Sequence, residues 1–499
     1  MPSRSTFLAL KRNRLLTLGA LLNLALAQQT SAVGSQTEVV GELRRLLTRA
    51  PAKQAICSAK VVDLATGEVV VELNADRKLT PASNQKLWVL AAATVELGDS
   101  FVFRTVLAAR DDDVYVVGDG SPGFGDSRLV ESHGGSVTGE LERWASVLAA
   151  RGLENLAGRL FYDDTLFDRQ WTHPSWESRH LQKWYAAPVS ALIINDNCID
   201  VTLTPAERAG APVRWSMIPA NDAVEIVNRC VSGGRGKAII NRPGQQMRFV
   251  VSGRCNKRWE FPSVAVTDPA ALFAGAFREA LRHHGIAVDP DTRTKRLRLP
   301  DGSLPADVTI LAEHQTPLSE VLGRIGKNSQ NLFAEAVLKR LGFEWSRRAG
   351  WTEPIGSWVT GRAAVLDFAK RNGLSLAESD YHDSSGLSRD NRMSAAQAVD
   401  LLSYMYRHPS RELFVGSLAI AGHDGSLRKR MTGIGGTVYA KTGYLNGVRT
   451  LSGYVLTPAG RWLAFAVLFN GIKGPTGPFN DIHDELCRLL VEWPQDAGS

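Results

Sequence analysis

The spacing of apolar and polar positions predicts a β-hairpin followed by a helix near the start of the chain. Apolar residues over 56–62 and 68–73 suit two strands, and positions 65–67 between them are typical of a turn. A helix is expected next, with Thr80 as its N-cap, Pro81 in its first turn and a largely apolar body.

A similar pattern returns near the other end of the chain. It predicts strands over 437–441, 451–456 and 462–469 and an amphipathic helix over about 480–493. The middle region, about 101–310, is rich in turns and short strands, expected over 114–117, 160–162, 199–203 and 246–251. Helical patterns then resume at 318–325, 331–341 and 361–371. Similar elements at both ends, separated by this middle region, indicate one domain interrupted by an insertion.

Composition and the first residues predict where the protein acts. The chain has 499 residues, 44% hydrophobic and 22% charged, which is ordinary for a globular protein of several domains. Basic residues precede an apolar run over 15–27 that ends in a small-x-small triplet, the layout of a cleaved secretory signal. We therefore predict a signal peptide over 1–27 and a periplasmic mature protein. An uncleaved anchor or peripheral membrane association stays open.

Charge and cysteine content argue against two classes of partner. Removal of 1–27 takes four basic residues and no acidic ones, so Lys plus Arg falls from 58 to 54 against 51 acidic residues. The net charge falls from +7 to +3, which does not favour a nucleic-acid partner. The five cysteines form no CxxC pair, and no metal site is expected. Cys230 and Cys255 are either bridged or unpaired.

The first candidate for chemistry is the pair Ser83 and Lys86. Residues at i and i+3 share one face of a helix, close enough for an amine to take a hydroxyl proton. Ser83 also falls in the predicted first turn, where free backbone N–H groups favour developing negative charge. A lysine acts as a base only if its surroundings lower its pKa from about 10.4. The pair alone is equally typical of a polar first turn.

Two further motifs supply groups that this chemistry needs. Ser329 and Asn331, at another predicted helix start, offer a hydroxyl for proton relay and a carboxamide for a substrate amide. A plain N-cap is the alternative for Ser329. Lys441 and Thr442, at the end of a strand, offer a cation and a hydroxyl for a carboxylate, and Gly443 allows close backbone approach to a ligand.

In this order and on these elements, the three motifs resemble those of the penicillin-recognising serine D,D-peptidases. The chain is most similar to D-alanyl-D-alanine carboxypeptidases and endopeptidases of the penicillin-binding protein 4 (DacB-like) type. Ser83 and Ser329 lie 246 positions apart, which resembles the large insertion of that family and not the short gap of class A β-lactamases. Further stretches typical of the family lie at 184–192, 195–197, 383–389 and 421–427.

The resemblance implies an α/β (α+β) fold, in which two inserted β-rich domains interrupt a penicillin-binding, transpeptidase-like domain with helices around an antiparallel sheet. The catalytic domain would comprise 36–100 and 311–499. The first inserted domain would comprise 101–197 and 262–310, with the second nested inside it at 198–261. The resemblance implies no cofactor and no metal. Expected partners are peptidoglycan stem peptides, with β-lactam antibiotics as inhibitors, and the oligomeric state stays open.

The resemblance also implies a role for each catalytic group. Ser83 would attack the carbonyl between two D-alanines and form an acyl-enzyme, and Lys86 would accept its proton. Ser329 and Lys441 would pass a proton to the departing D-alanine. Asn331 would bind the substrate amide.

Other positions would bind the substrate. Lys441 and Thr442 would hold its terminal carboxylate, and the backbone N–H groups of Ser83 and Tyr444 would form the oxyanion hole. Arg389 would meet a carboxylate of the peptide stem, and a surface arginine without this role is the alternative. Tyr444 departs from the family pattern, which usually has a small hydroxyl residue at that position.

Three alternative functions are weighed against this one. The segment 118–123 matches GxGxxG, but Pro122 favours a loop over the helix start that a dinucleotide site needs. A β-lactamase or esterase would share the three motifs and deacylate penicillin rapidly. A catalytically silent, peptidoglycan-binding scaffold is the alternative outside the enzymes.

Overall fold

The computed structural model describes residues 36–493, so the predicted signal peptide lies outside the described residues. The helices are α1 (Gln36–Thr48), α2 (Lys86–Glu96), α3 (Ser127–Ser132), α4 (Gly139–Ala150), α5 (Pro269–His283), α6 (Leu318–Gly326), α7 (Asn331–Arg348), α8 (Trp358–Arg371), α9 (Ala395–Arg407), α10 (Arg411–Ser417) and α11 (Gly477–Val491). Within this range, each helix lacks the length or the apolar character that a bilayer span requires.

The strands are β1 (Ile56–Asp63), β2 (Val69–Leu73), β3 (Val102–Arg110), β4 (Asp113–Val117), β5 (Leu160–Asp163), β6 (Cys198–Thr204), β7 (Arg214–Ile218), β8 (Glu225–Ser232), β9 (Ala238–Asn241), β10 (Arg248–Cys255), β11 (Trp259–Glu260), β12 (Val264–Ala265), β13 (Thr309–Pro317), β14 (Ala419–Ile420), β15 (Val438–Leu445), β16 (Val448–Leu456) and β17 (Trp462–Asn470). The strands predicted over 114–117, 160–162, 199–203 and 246–251 correspond to β4, β5, β6 and β10.

The central sheet is antiparallel and is built from both ends of the chain. Among the described strands, six join it in the order β14-β15-β16-β17-β1-β2. β1 pairs with β17 along its length, from Ile56 opposite Asn470 to Asp63 opposite Leu463. The two predicted hairpins are confirmed as β1 with β2 and β16 with β17. Because β1 and β17 are neighbours, the chain leaves this sheet and returns to it.

Both faces of the central sheet are buried under helices. In β17, Ala464, Ala466 and Leu468 belong to an apolar cluster with α2, α7 and α8. The alternate residues Phe465 and Val467 belong to a second cluster with α1 and α11. Successive side chains of a strand point to opposite faces, so a strand covered on both faces reads as a continuous apolar run.

Helix α2 lies within the first of these clusters. Residues 87–93 are all buried, and a helix that is apolar on all sides is typical of a core position. The first residue of α2 is Lys86, which is also buried. The fold therefore buries a lysine against this apolar cluster.

The predicted N-cap of this helix is wrong. Within the described chain, a 3₁₀ turn over Ala82–Gln85 precedes α2, and no side chain caps that turn. The backbone of Thr80 is instead held by Asn470, whose Oδ1 accepts from the Thr80 N–H at 3.0 Å and whose Nδ2 donates to the Thr80 carbonyl at 3.0 Å. A tertiary contact with β17 therefore fixes Thr80 just before the turn.

The middle of the chain forms smaller sheets. β3 pairs with β13, so the segment that follows α2 and the segment that precedes α6 lie side by side. β13, β3, β4 and β5 form one sheet, β6 pairs with β7, β11 and β12, and β10 lies between β8 and β9. The segment 118–123 is a loop between β4 and α3, as expected. The boundaries of the predicted domains stay a prediction.

The structure decides between the two interpretations of the cysteines. Within residues 36–493, all five cysteines are free and buried. Cys230 on β8 lies opposite Gly253 of β10, and Cys255 lies opposite Ser232, so the two thiols are out of register. The unpaired alternative is the correct one in this structure.

Candidate active site

Close backbone contacts hold the segment that carries Ser83. Ser83 lies in the 3₁₀ turn directly before α2. The preceding residue, Ala82, has a φ of +47°, a strained backbone conformation that surrounding contacts must maintain. A Cβ on Gly386 would overlap the carbonyl oxygen of Ala82. A Cβ on Gly443 would lie 3.2 Å from the backbone nitrogen of Ser83. Both glycines therefore allow neighbouring segments to approach Ser83.

Lys86 connects Ser83 to two other segments. Its Nζ donates a hydrogen bond to Ser83 Oγ at 3.1 Å. It also donates to Asn331 Oδ1 at 2.7 Å and to the carbonyl oxygen of Ser385 at 2.6 Å. A lysine ammonium has three donors, and these acceptors use all of them. The structure thus brings the predicted pair into contact and adds Asn331 from the start of α7.

Burial changes the protonation of Lys86. The side chain is fully buried, and desolvation lowers the pKa of Lys86 from 10.5 to about 7. The negative charges of Glu335 and Asp383 act in the opposite direction and raise this pKa. A substantial fraction of Lys86 is therefore a neutral amine at neutral pH, the form that can accept a proton.

Lys441 reaches the same site from β15. Its Nζ donates to Ser329 Oγ at 2.9 Å and to the carbonyl oxygen of Thr442 at 2.8 Å. Desolvation of this fully buried side chain, and then the positive charge of Lys86, hold the pKa of Lys441 well below 10.5. The two lysines are therefore close enough to influence each other's charge.

The start of α7 joins the two lysines. Ser329 has a φ of +60° and lies outside the helix, whose N-cap is Gln330. The interpretation of Ser329 as a plain N-cap is therefore wrong. Gln330 Nε2 donates to Asp196 Oδ2 at 2.6 Å, and Asn331 Nδ2 donates to the carbonyl of Tyr185 at 2.7 Å. These bonds tie the motif to two other stretches on which the family resemblance depends.

Gly443 lets β15 pass close to the turn that carries Ser83. A Cβ on Gly443 would overlap Thr450 Oγ1 on β16. That hydroxyl donates to the carbonyl of Pro81 at 2.9 Å and so holds the turn against the sheet. Thr442, the preceding residue, donates from Oγ1 to Ser426 Oγ at 2.8 Å. A glycine is therefore required here by space.

Tyr444 follows on the same strand and points outward. Its side chain is 61% exposed, and Arg449 Cζ lies 3.8 Å from the centre of its ring. The stacking of a guanidinium on an aromatic ring is favourable and holds the ring against Arg449. The structure thus places the unusual residue of this motif at the mouth of the site.

The predicted residues meet at one cleft of about 480 Å³. Six of them line it, namely Ser83, Ser329, Asn331, Arg389, Thr442 and Tyr444. Lys86, Lys441 and Gly443 lie behind this surface. Arg389 Nη2 donates to the carbonyl of Asn446 at 3.1 Å, and its Nε lies 4.0 Å from Glu177 Oε1. All nine predicted site residues are thus brought together, while their chemical roles stay predictions.

Sequence reasoning missed two buried carboxylates beside Lys86. Glu335 and Asp383 are fully buried. Glu335 lies four residues after Asn331, and this spacing on one helix face was the available signal. Asp383 begins the stretch 383–389, but its type alone indicated no role. Among residues 36–493, no three His, Cys, Asp or Glu side chains meet as a metal site.

The comparisons with known proteins agree with this geometry. Residues 39–490 match the D-Ala-D-Ala carboxypeptidase 3 (S13) family. A D-alanyl-D-alanine carboxypeptidase from an Actinomadura species is 32% identical over 488 residues, covering 92% of this chain and 85% of the relative. The crystal structure of penicillin binding protein 4 (dacB) from Haemophilus influenzae superposes with a TM-score of 0.72 and 22% identity, covering 90% of this chain and 99% of that one. A second structure of that protein, complexed with a novel beta-lactam, has a TM-score of 0.66 and 21% identity, covering 91% and 99%.

The chain belongs to this carboxypeptidase family. The predicted enzyme class, a serine-type D-alanyl-D-alanine carboxypeptidase, is confirmed. The resemblance to the penicillin-binding protein 4 type and the predicted fold class are also confirmed. These matches favour the peptidase over a lactamase, an esterase or a silent scaffold.

Proposed function

We propose that Ser83 is the nucleophile of this carboxypeptidase and that Lys86 is its base. The observation that carries the proposal is the 3.1 Å hydrogen bond between Lys86 Nζ and Ser83 Oγ, made by a lysine whose burial lowers its pKa to about 7. The neutral amine takes the hydroxyl proton as Oγ attacks the carbonyl carbon between two D-alanines. The products are an acyl-enzyme on Ser83 and free D-alanine, and water then hydrolyses the ester.

Ser329 and Lys441 deliver a proton to the leaving D-alanine nitrogen. They are hydrogen-bonded to each other at 2.9 Å, and Ser329 lines the cleft while Lys441 lies behind it. The charge of Lys86 bears on Lys441, so a proton gained by Lys86 lowers the proton affinity of Lys441. That coupling favours release of a proton toward the leaving group at the moment it is needed.

The remaining residues bind the substrate. Thr442 and Lys441 hold the terminal carboxylate, and Asn331, fixed between Lys86 and the Tyr185 carbonyl, binds the substrate amide. The backbone N–H groups of Ser83 and Tyr444 stabilise the oxyanion. Arg389, which lines the cleft, binds a carboxylate of the peptide stem.

The natural substrates are peptidoglycan stem peptides, and D,D-cross-links are cleaved as well as terminal D-alanine. Penicillins acylate the same serine, which the beta-lactam complex of the Haemophilus influenzae structure supports. The signal-like sequence over 1–27 supports export to the periplasm. The domain division at about 100, 198, 261 and 311 remains part of this proposal.

A fluorescent penicillin tests the nucleophile assignment. We expect durable labelling of the wild type and complete loss of labelling in Ser83→Ala. Ser132→Ala, which removes an exposed hydroxyl at the end of α3, is the matched control and should label normally. Labelling of Ser83→Ala would contradict the assignment. Rapid turnover of the penicillin would indicate a lactamase, and an unlabelled wild type would indicate a scaffold.

A second assay measures the balance between carboxypeptidase and endopeptidase activity. The purified protein is incubated with a stem pentapeptide and with a cross-linked stem dimer, and released D-alanine and monomer are measured. We expect both reactions in the wild type and neither in Ser83→Ala. Release of D-alanine without cleavage of the dimer would restrict the function to carboxypeptidase activity.

A further inference from the structure

Beside the proposed base lies a buried carboxylate that has no role in the reaction as described so far. Glu335 is completely buried on α7, one helical turn after Asn331. Ionised side chains are rarely buried unless their surroundings compensate the charge. The contacts of Glu335 therefore indicate what it does.

Glu335 is held by backbone and indole N–H groups. Its Oε1 accepts from the Ser385 N–H at 2.7 Å. Its Oε2 accepts from Trp358 Nε1 at 2.9 Å and from the Ser384 N–H at 3.3 Å. Three donors thus converge on one carboxylate, and they fix both of its oxygens.

Ser385 links this carboxylate to Lys86. Its N–H donates to Glu335, and its carbonyl oxygen accepts from Lys86 Nζ at 2.6 Å. This short bond orients the lysine whose Nζ also donates to Ser83. Displacement of Ser385 would therefore change the direction in which Lys86 presents its amine.

The other charged groups near Glu335 are occupied elsewhere. Lys339 Nζ donates to Asp168 Oδ1 at 2.7 Å and lies 4.0 Å from the centre of the Trp358 ring. Asp383 accepts from several donors of its own loop, among them the Gly386 N–H at 2.9 Å.

The remaining titratable neighbour is a phenol. Tyr381 bonds to Ser384, so its hydroxyl is also occupied. Among residues 36–493, the cations that face Glu335 are thus Lys86 and Lys339, and the acids are Asp383 and Tyr381. Of these groups, only Lys86 takes part in the proposed reaction.

We propose that Glu335 is a positioning residue for Lys86, which anchors Ser385 so that its carbonyl aims the amine at Ser83 and supplies the negative charge that offsets burial of the ammonium. The inference deepens the proposed function and rests on Lys86 as the base. Electrostatics agree with it, because the charge of Glu335 raises the pKa of Lys86 against the effect of desolvation. Burial, and then the charge of Asp383, raise the pKa of Glu335 itself.

Glu335→Gln tests the proposal, with the rate constant for acylation by fluorescent penicillin measured from pH 5 to 9. The glutamine NH₂ must face donors, so at least one of the three bonds is lost. Loss of the charge lowers the pKa of Lys86. The acylation rate should rise with pH as Lys86 loses its proton and then reach a plateau; we call this rise the acid limb of the profile. In Glu335→Gln we expect the acid limb to move to lower pH by about one unit. The plateau rate should fall about tenfold.

A milder variant covers the case in which Glu335→Gln fails to fold. Trp358→Phe keeps an aromatic ring for Lys339 but removes the donor to Oε2. Loss of a bond to the charged form raises the pKa of Glu335, so its charge is partly lost near neutral pH. We expect the acid limb of the pH profile to shift in the same direction as in Glu335→Gln, but by less.

Glu344→Gln is the matched control. Glu344 lies on the same helix and is bonded to Arg340 and Arg347, so its replacement should leave the pH profile of acylation unchanged.

The outcomes separate this inference from the function on which it rests. An unlabelled wild type, or an unshifted acid limb in Lys86→Met, would overturn the role of Lys86. The inference alone would be overturned by a different pair of results. In that case the acid limb disappears in Lys86→Met but keeps its position in both the Glu335 and Trp358 variants. An equal loss of rate at every pH would also contradict it, since a merely structural residue has that effect.

Discussion

Two buried lysines serve the same cleft, but their surroundings differ. Lys86 and Lys441 are both completely buried. Lys86 lies near two buried carboxylates, and its pKa falls only to about 7. The pKa of Lys441 falls well below 10.5, and the charge that acts on it is the positive charge of Lys86. Equal burial is thus combined with opposite neighbouring charges, which offset desolvation at Lys86 and add to it at Lys441.

The difference suits two different proton-transfer tasks. A base with a pKa near 7 can gain and lose a proton at neutral pH. Burial and the charge of Lys86 lower the pKa of Lys441, and the arrival of a substrate carboxylate would raise it, because a nearby negative charge favours the ammonium. The second lysine is therefore expected to hold its proton more strongly with substrate bound, when it can donate to the leaving group.

The largest effect on the acylation rate is expected when each lysine is replaced by methionine. Protonated Lys86 cannot accept a proton, so acylation in the wild type should rise as pH increases through about 7. Lys86→Met should lower the acylation rate about 10³-fold and abolish this rise. Lys441→Met should lower the rate about 10²-fold and retain a rise. The measurement is the rate of penicillin acylation against pH.

In Lys441→Met, the pH at which the acylation rate rises gives a further test. The pKa of Lys86 is set by desolvation and by the charges of Glu335 and Asp383. The pH at which the acylation rate rises should therefore stay unchanged when Lys441 is removed. Identical profiles for the two methionine variants would show that the lysines do not have separate tasks. Circular dichroism of both variants controls for folding.

Gly443→Ala tests whether the Lys441 side of the cleft must lie so close to Ser83. The added methyl group would overlap Thr450 Oγ1, so β15 or the turn before α2 must move. Since a displacement of about 1 Å costs roughly 10²-fold in rate, we expect a loss of 10–10²-fold in acylation. Gly416→Ala on α10, where a Cβ would have open space, is the matched control. Full activity of Gly443→Ala would show that the approach of β15 is not needed.

Replacement of Tyr444 should have the smallest effect. Its side chain is exposed and stacks on Arg449, so we expect Tyr444→Phe to leave activity unchanged. Tyr444→Thr places a small hydroxyl beside Thr442, and one added hydrogen bond to a carboxylate is worth about 1 kcal/mol. The KM for a stem pentapeptide should therefore fall about fivefold. An unchanged KM would exclude a role of this position in carboxylate binding.

Much of the site could be predicted from spacing along the chain. Ser83 and Lys86 are neighbours because positions i and i+3 share one helix face, whatever surrounds them. The hairpins of β1 with β2 and β16 with β17 follow from two apolar runs joined by a short turn. The three motifs indicated the family because each places a required group on a suitable element.

Other features depend on residues far apart in the sequence. Thr80 does not cap the helix, and its N–H instead donates to Asn470 Oδ1 on β17. Glu335 becomes important only because the loop of Ser385 folds against it. The free state of Cys230 and Cys255 depends on the register of β8 and β10.

Local spacing was thus sufficient for the identity of the reacting groups, the hairpins and the family. The tertiary structure decided the lowering of the pKa of both lysines, the carboxylates that balance one of them, and the close approach of Gly443 to Ser83. The physical reason is that a helix face or a turn is set by neighbouring residues. Desolvation, charge pairing and van der Waals contact depend instead on groups that only the folded chain brings together.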